Sequence, residues 1–257
     1  MSTDGLRLAI GTFTRIPVPA PREVGRREAR AAMLLGPAVA LVPALVVAVA
    51  AQVLVSLTPT PGLVGAALAL TALAWVTRAL HLDGLADTAD ALGSGKPAAT
   101  ALEIARRSDI GPFGVVTLAL VLMLQAFALG DLLERGAGGG ALVLAVVVGR
   151  VAMTVSCTPP FPAARPDGLG AAVAGSVPAW AAWATALGWL LLFSGSVGRA
   201  HGAASALATA AAIVVALLCA VLVSLLVRRR LGGITGDTLG AAGEVATTVV
   251  LVILVAT

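Results

Sequence analysis

The sequence predicts an all-α protein, a polytopic transmembrane helical bundle of about seven spans with its N-terminus inside and its C-terminus outside. Three observations carry this expectation. Of the 257 residues, 59% are hydrophobic and only 12% are charged, against about 25% charged in typical soluble domains, and mean hydropathy is +1.00. Apolar runs at 31–57, 63–80, 111–130, 141–157, 177–195, 203–227 and 239–255 are each close to the roughly 20 residues that cross a hydrocarbon core. The 17 Lys and Arg are distributed one-sidedly. On that topology only Arg135 and Arg199 fall outside and Arg150 lies within the fourth span, so the basic residues mark the cytoplasmic loops.

Residues 1–30 hold six arginines and read as a basic cytoplasmic segment ahead of a membrane catalytic domain at 31–257. Leu6, Ile10 and Phe13 recur at helical spacing, which suits a stretch lying along the membrane surface, and Pro17, Pro19 and Pro21 end it. No cleavable signal peptide is expected. Pro37 and Pro43 fall inside the first span, where neighbouring helices can satisfy the freed backbone groups. The polar stretch after Gly93 contains a short helix around Glu103, and 158–170 is a Pro- and Gly-rich loop. Cys157 and Cys219 lie in apolar surroundings without CxxC spacing, which implies neither a disulfide nor a zinc site. A net charge of +4 carried by short-loop arginines speaks for membrane orientation and against a nucleic-acid partner.

The chemistry concentrates where the apolar second span runs into His81-Leu-Asp83-Gly84-Leu-Ala-Asp87-Thr-Ala-Asp90. On a helix Asp83, Asp87 and Asp90 fall within about 60° of arc. Like charges so placed repel, and carboxylates without thiols or several imidazoles suit a hard cation such as Mg2+. The plainer alternative is a solvated acidic turn after a span. A second block, Leu231-Gly232-Gly233-Ile-Thr235-Gly236-Asp237 through Glu244, puts Asp237 and Glu244 about 20° apart at the start of the last span. Antiparallel neighbours could bring all five carboxylates to one pocket clamping a pyrophosphate. Against this, Asp237 also reads as a helix cap and Glu244 as an isolated helix acid with a structural partner. Gly232, Gly233, Thr235 and Gly236 suit a close approach of backbone N–H groups to an anion. Arg106, Arg107 and Arg165 are candidates for substrate phosphates. Arg228–Arg230 read equally as phosphate binders or as a stop anchor. Arg150, costly if unpaired in a span, is expected to face the bundle interior near the pocket. His81 is a candidate base or ligand, or else an interfacial histidine, and Asp109 a cap for the third span or an arginine's partner.

These blocks also carry a resemblance. HLDGLADTADAL resembles the acidic motif of the cobalamin synthases (adenosylcobinamide-GDP ribazoletransferases). LGGITGDTLGAAGE is similar to that family's C-terminal motif almost letter for letter, and Phe13-Thr-Arg15-Ile-Pro-Val-Pro19 to its opening signature. Arg165-Pro-Asp167-Gly168-Leu-Gly170 matches a glycine-bearing loop of the family less tightly. One departure is that many members place an aspartate just before the serine of the arginine-rich segment, where this chain reads Arg106-Arg107-Ser108-Asp109. A role for that acid therefore does not carry over.

The resemblance implies an enzyme of late cobalamin biosynthesis. Adenosylcobinamide-GDP is joined to α-ribazole or its 5′-phosphate, and GMP is released. The carboxylate pattern suits this reaction with Mg2+ as cofactor: Asp83, Asp87, Asp90, Asp237 and His81 are the expected catalytic residues, those four aspartates and Glu244 the expected metal ligands, and Arg15 joins the expected substrate-binding residues. The implied setting is the cell (inner) membrane with the active site facing the cytoplasm. Two other classes stay open: a CDP-alcohol-type phosphotransferase, whose Ala-Arg after DG is replaced here by Leu85-Ala86, and an ion-coupled transporter, whose acids tend to sit at the midplane on repeated, broken helices. Oligomeric state, homo-oligomers included, is left open.

Overall fold

A computed structural model describes residues 3–107 and 109–257, so Ser108 of the arginine-rich segment lies outside the described residues. Among the described residues the chain forms helices α1 (Thr3–Phe13), α2 (Arg26–Leu57), α3 (Gly62–Val76), α4 (Leu80–Gly93), α5 (Ala98–Ile104), α6 (Pro112–Glu134), α7 (Gly138–Ser156), α8 (Gly168–Val173), α9 (Ala179–His201), α10 (Ala203–Leu231) and α11 (Gly236–Val255). Six of these, α2, α6, α7, α9, α10 and α11, are long and apolar enough to cross a membrane, and the bent pair α3–α4 raises the number to seven. Each expected apolar run coincides with one of them, as hydropathy summed over a span-length window requires.

The bundle is built around α7, whose side chains from Ala141 to Ser156 are all buried against α2, α11, α10, α9 and α6. Small residues allow this. A Cβ on Gly149 would meet the Gly243 carbonyl at 2.8 Å, so α7 and α11 touch backbone to backbone, the usual close packing of membrane helices. The outer faces of α2, α6, α9 and α10 carry exposed Val, Leu, Phe and Trp, as lipid-facing surfaces do. At one end of the bundle side chains complete the helix starts: Glu134 Oε1 accepts from the Gly62 N–H (2.8 Å) and Gln52 Oε1 from the Gly139 N–H (3.0 Å). Buried N–H groups at helix starts need such partners.

Two expectations are refined. The second span ends at Val76, about 22 Å from its start at 1.5 Å per residue. The chain then bends by 91° into α4. The break is made by Arg78 and Ala79, both in the left-handed region at φ 58° and 54°. Such non-glycine residues cost of the order of 1–3 kcal/mol each and persist where surrounding contacts over-determine them. Here Arg78 donates to the Gly11 carbonyl, and the Arg15 N–H to Val76 O at 2.7 Å. The acidic motif is therefore a separate helix across the end of the bundle. The basic N-terminal segment, in turn, is continuous with that bundle. Phe13 is buried at Gly36 of α2, and Arg26 and Arg30, within α2, donate to the carbonyls of Gly175 and Ser176.

Candidate active site

The site forms where α4 lies against the first turns of α11. Two glycines set the approach: a Cβ on Gly84 would stand 2.6 Å from Asp237 O, and one on Gly240 would stand 3.0 Å from His81 O. This contact brings Asp237 into the field of Asp83 and Asp87 on successive turns of α4. The consequence shows in Asp87, which is part-buried. Burial first, then the charges of Asp83, Asp237 and Asp90, push its carboxyl up to about 7, with Arg165 opposing. Asp83 and Asp87 line a cavity of about 390 Å³ together with Arg107, Asp109, Ala79 and Ile110.

A second cavity, of about 220 Å³, lies beside the first around α4. Thr12, Leu80, His81, Met153, Arg165, Gly168, Leu169, Thr235, Gly236, Asp237 and Gly240 line it. Its wall is made by the chain before α11 pairing with the 158–167 loop. Ile234 N donates to Pro162 O (2.8 Å) and Ala164 N to Ile234 O (2.9 Å), a single parallel bridge. Arg165, next along, is thereby delivered to Asp237 at 3.6 Å. The Thr235 hydroxyl donates to Asp237 (3.1 Å) and accepts from the Thr238 N–H (3.3 Å), capping α11. Across the mouth, Arg106 donates to both oxygens of Asp167 at 2.6 Å, and this pairing holds the exposed Asp167 carboxyl below the usual range.

Behind both cavities lies a buried polar cluster. Arg150 of α7 donates to His81 Nδ1 at 3.1 Å, and the His81 ring stacks on Phe13 with centroids 6.0 Å apart. Gln125 donates to Glu244 and to Thr248, each at 3.0 Å. His81, Gln125, Arg150, Glu244, Thr77 and Thr247 line a third, small cavity of about 40 Å³.

The expected five-carboxylate cluster is thus divided. Asp83, Asp87 and Asp237 come together. Asp90 is buried, and its two oxygens accept from the Gly111 N–H (2.7 Å) and the Gly114 N–H (2.9 Å). It caps α6, one of the two tasks expected of Asp109, which lines the acidic cavity together with Arg107. Glu244 sits about 10 Å further along α11 than Asp237 and belongs to the inner cluster, with Gln125 as its partner. Gly232 (φ 86°) is the left-handed cap of α10, and Gly233 is pressed against the Pro162 carbonyl. Of the glycine block only Thr235, Gly236 and the Gly240 that follows reach a cavity. Arg15 is exposed and packs over the Trp75 ring at 4.0 Å, outside the lining of the three cavities. The sequence reading did not single out Thr12 or Leu169, and gave Asp167 no role. Asp167 stood in the quoted loop, but nothing local pairs it with Arg106.

Among the described residues no three of His, Cys, Asp and Glu form a ready-made metal cage. Mg2+ rarely requires one, being held by one or two carboxylates with waters and substrate phosphates. The all-oxygen donors Asp83, Asp87 and Asp237, where burial and then mutual repulsion raise Asp87, fit an ion that arrives with its phosphates.

A family described as cobalamin-5-phosphate synthase matches residues 5–255. The chain belongs to that family. Among similar proteins, an adenosylcobinamide-GDP ribazoletransferase of a Nocardioides species is 42% identical, over 95% of this chain and 94% of its own. Another, from Frankia casuarinae, is 37% identical over 98% and 94%, and one from Pseudomonas putida is 41% identical over 97% and 98%. No solved structure matches. Family membership over the whole bundle removes the grounds for the CDP-alcohol phosphotransferase and transporter readings.

Proposed function

We propose that the chain is a membrane-embedded transferase of cobalamin biosynthesis that joins adenosylcobinamide-GDP and α-ribazole, or its 5′-phosphate, with release of GMP. The observation that carries this reading is the convergence of Asp83, Asp87 and Asp237 beside Arg107, Arg165 and the Arg106–Asp167 pair, in a chain whose relatives bear that name. In the reaction a ribose hydroxyl oxygen bonds to the phosphorus that carries the cobinamide. The P–O bond to GMP breaks, and the hydroxyl proton passes to a base.

Asp83, Asp87 and Asp237 would hold Mg2+, which when bound supplies positive charge against the pyrophosphate and the departing GMP. Arg107 and Arg165 carry fixed donors to phosphate oxygens in the two cavities. Arg106 is released to the same task when substrate competes with Asp167. Asp90 and Glu244 serve the scaffold. Both cavities open at the end of the bundle where α2, α6, α9 and α11 begin and α3, α7 and α10 end. The arginine distribution argues that this end faces the cytoplasm.

The test is GMP release from adenosylcobinamide-GDP and α-ribazole 5′-phosphate by purified protein, with and without Mg2+. We expect Mg2+-dependent turnover that Asp87→Asn lowers by about 100-fold or more. No turnover by folded protein would refute the reaction, and turnover surviving Asp87→Asn would refute the metal site.

A further inference from the structure

The His81–Arg150 contact determines which histidine nitrogen carries hydrogen. A guanidinium has donors only, so His81 Nδ1 must accept the bond from Arg150, and the neutral ring then carries its proton on Nε2. That Nε2–H is buried and without a hydrogen-bond partner, in a residue only 2% exposed. An unmet buried donor is expensive. His81 lines two cavities. Its Nδ1 meets Arg150, which lines the inner one, and its Nε2–H is enclosed without a partner in a residue that walls both. Arg165 Nε and its ion-pairing terminal nitrogen likewise lack hydrogen-bond partners. The start of α11 faces the same space through Gly236 and Asp237, and a helix start offers free N–H groups and a partial positive charge. Opposing these is one carboxylate, Asp237, which Arg165 and Thr235 hold. Thr12 adds a hydroxyl, and Leu80, Met153 and Leu169 form an apolar wall.

We infer that this cavity is a phosphomonoester site, separate from the acidic cavity, in which His81 Nε2–H, Arg165 and the first turn of α11 hold the 5′-phosphate of the acceptor nucleotide. The inference rests on the transferase reading for the identity of the ligand, but not for the existence of an anion site. The acidic cavity repels a free phosphate and takes a metal-bound pyrophosphate. The cavity beside it is walled by Arg165, His81 and the start of α11, whose enclosed donors lack partners, and takes a phosphate without metal. Two anions of one reaction are thereby kept apart, with Asp237 at the boundary.

The experiment has two arms. In Mg2+-free detergent solution, inorganic phosphate is expected to raise the unfolding temperature of the wild-type protein, and His81→Phe and Arg165→Met to abolish that rise. Arg165→Lys, which keeps the charge, should restore part of it. In the transferase assay, each of the first two variants should raise KM for α-ribazole 5′-phosphate by about tenfold, the scale of one charge-assisted hydrogen bond, with a much smaller change for α-ribazole. His81→Phe keeps the stack on Phe13 but strands Arg150; Arg165→Met leaves that core intact and decides the matter if the first variant folds poorly. No protection of the wild type by phosphate, protection surviving Arg165→Met, or equal KM changes for both acceptors would each overturn the inference. Phosphate protection lost in the variants, with no turnover by wild type on either acceptor, would refute the transferase reading while the anion site stood.

Discussion

At the scale of single residues, four aspartates that look alike in sequence have different work. Burial, and then the charges of Asp83 and Asp237, push the Asp87 carboxyl up to about 7, whereas Asp90 spends both oxygens on the start of α6. Asp90→Ala is expected to lower stability by about 1–2 kcal/mol, the usual size of a lost helix cap. Chemical denaturation in detergent would show this, while stabilisation of the protein by Mg2+ survives. The raised carboxyl of Asp87 has a definite sign. An unfolded aspartate ionises near 3.8 and the folded one near 7, so between those values the unfolded chain binds fewer protons. Its contribution to stability is therefore fully present below about 3.8 and lost as pH rises through 7. Without divalent ions, the unfolding temperature should fall between pH 5 and pH 8 by more in wild type than in Asp87→Asn. Added Mg2+ should recover the difference at the higher pH, because the cation binds the ionised form.

At the scale of elements, the site depends on how closely α4 can lie on α11. Gly84 and Gly240 allow contact at backbone distance, and the left-handed pair Arg78–Ala79 aims α4 across the bundle end. Gly84→Ala places a methyl group 2.6 Å from Asp237 O. We expect a loss of about 1–3 kcal/mol from overpacking, together with weaker Mg2+ protection because Asp237 is pushed away from Asp83 and Asp87. Thermal unfolding with and without Mg2+ would separate the two effects. The same scale explains the glycine block. Its first two glycines end α10 and admit the Pro162 carbonyl, so that Arg165 arrives beside Asp237.

At the scale of the whole molecule, α7, buried from Ala141 to Ser156, sorts the other spans around it, and the cavities of the candidate site gather at one end of the bundle. The arginine distribution predicts that this end is cytoplasmic. Lys96→Cys and Ala137→Cys, both at exposed positions at opposite ends, can be placed in a Cys219→Ser background that keeps only the buried Cys157. A membrane-impermeant thiol reagent applied to intact cells should label the second and spare the first. Labelling of Lys96→Cys instead would invert the topology.

The apolar runs were legible because partitioning into a membrane is a sum over local residues, and the sequence by itself determined the all-α bundle, its spans to within a few residues and the two acidic blocks. The candidate site was legible only in part. That Asp83, Asp87 and Asp237 meet follows from sequence blocks 150 residues apart, and their periodicity suggested it. Periodicity placed Asp90 and Glu244 on the same faces, however, and could not show that one would cap α6 and the other join Gln125 deeper in the bundle. Nor could it reveal the bend at Arg78–Ala79, since those residues have no local preference for the left-handed conformation. The division of five carboxylates into a site and a scaffold, and the stranded Nε2–H of His81, were decided by tertiary packing alone. A side chain's role there depends on which distant backbone groups reach it, and no window of sequence contains those groups.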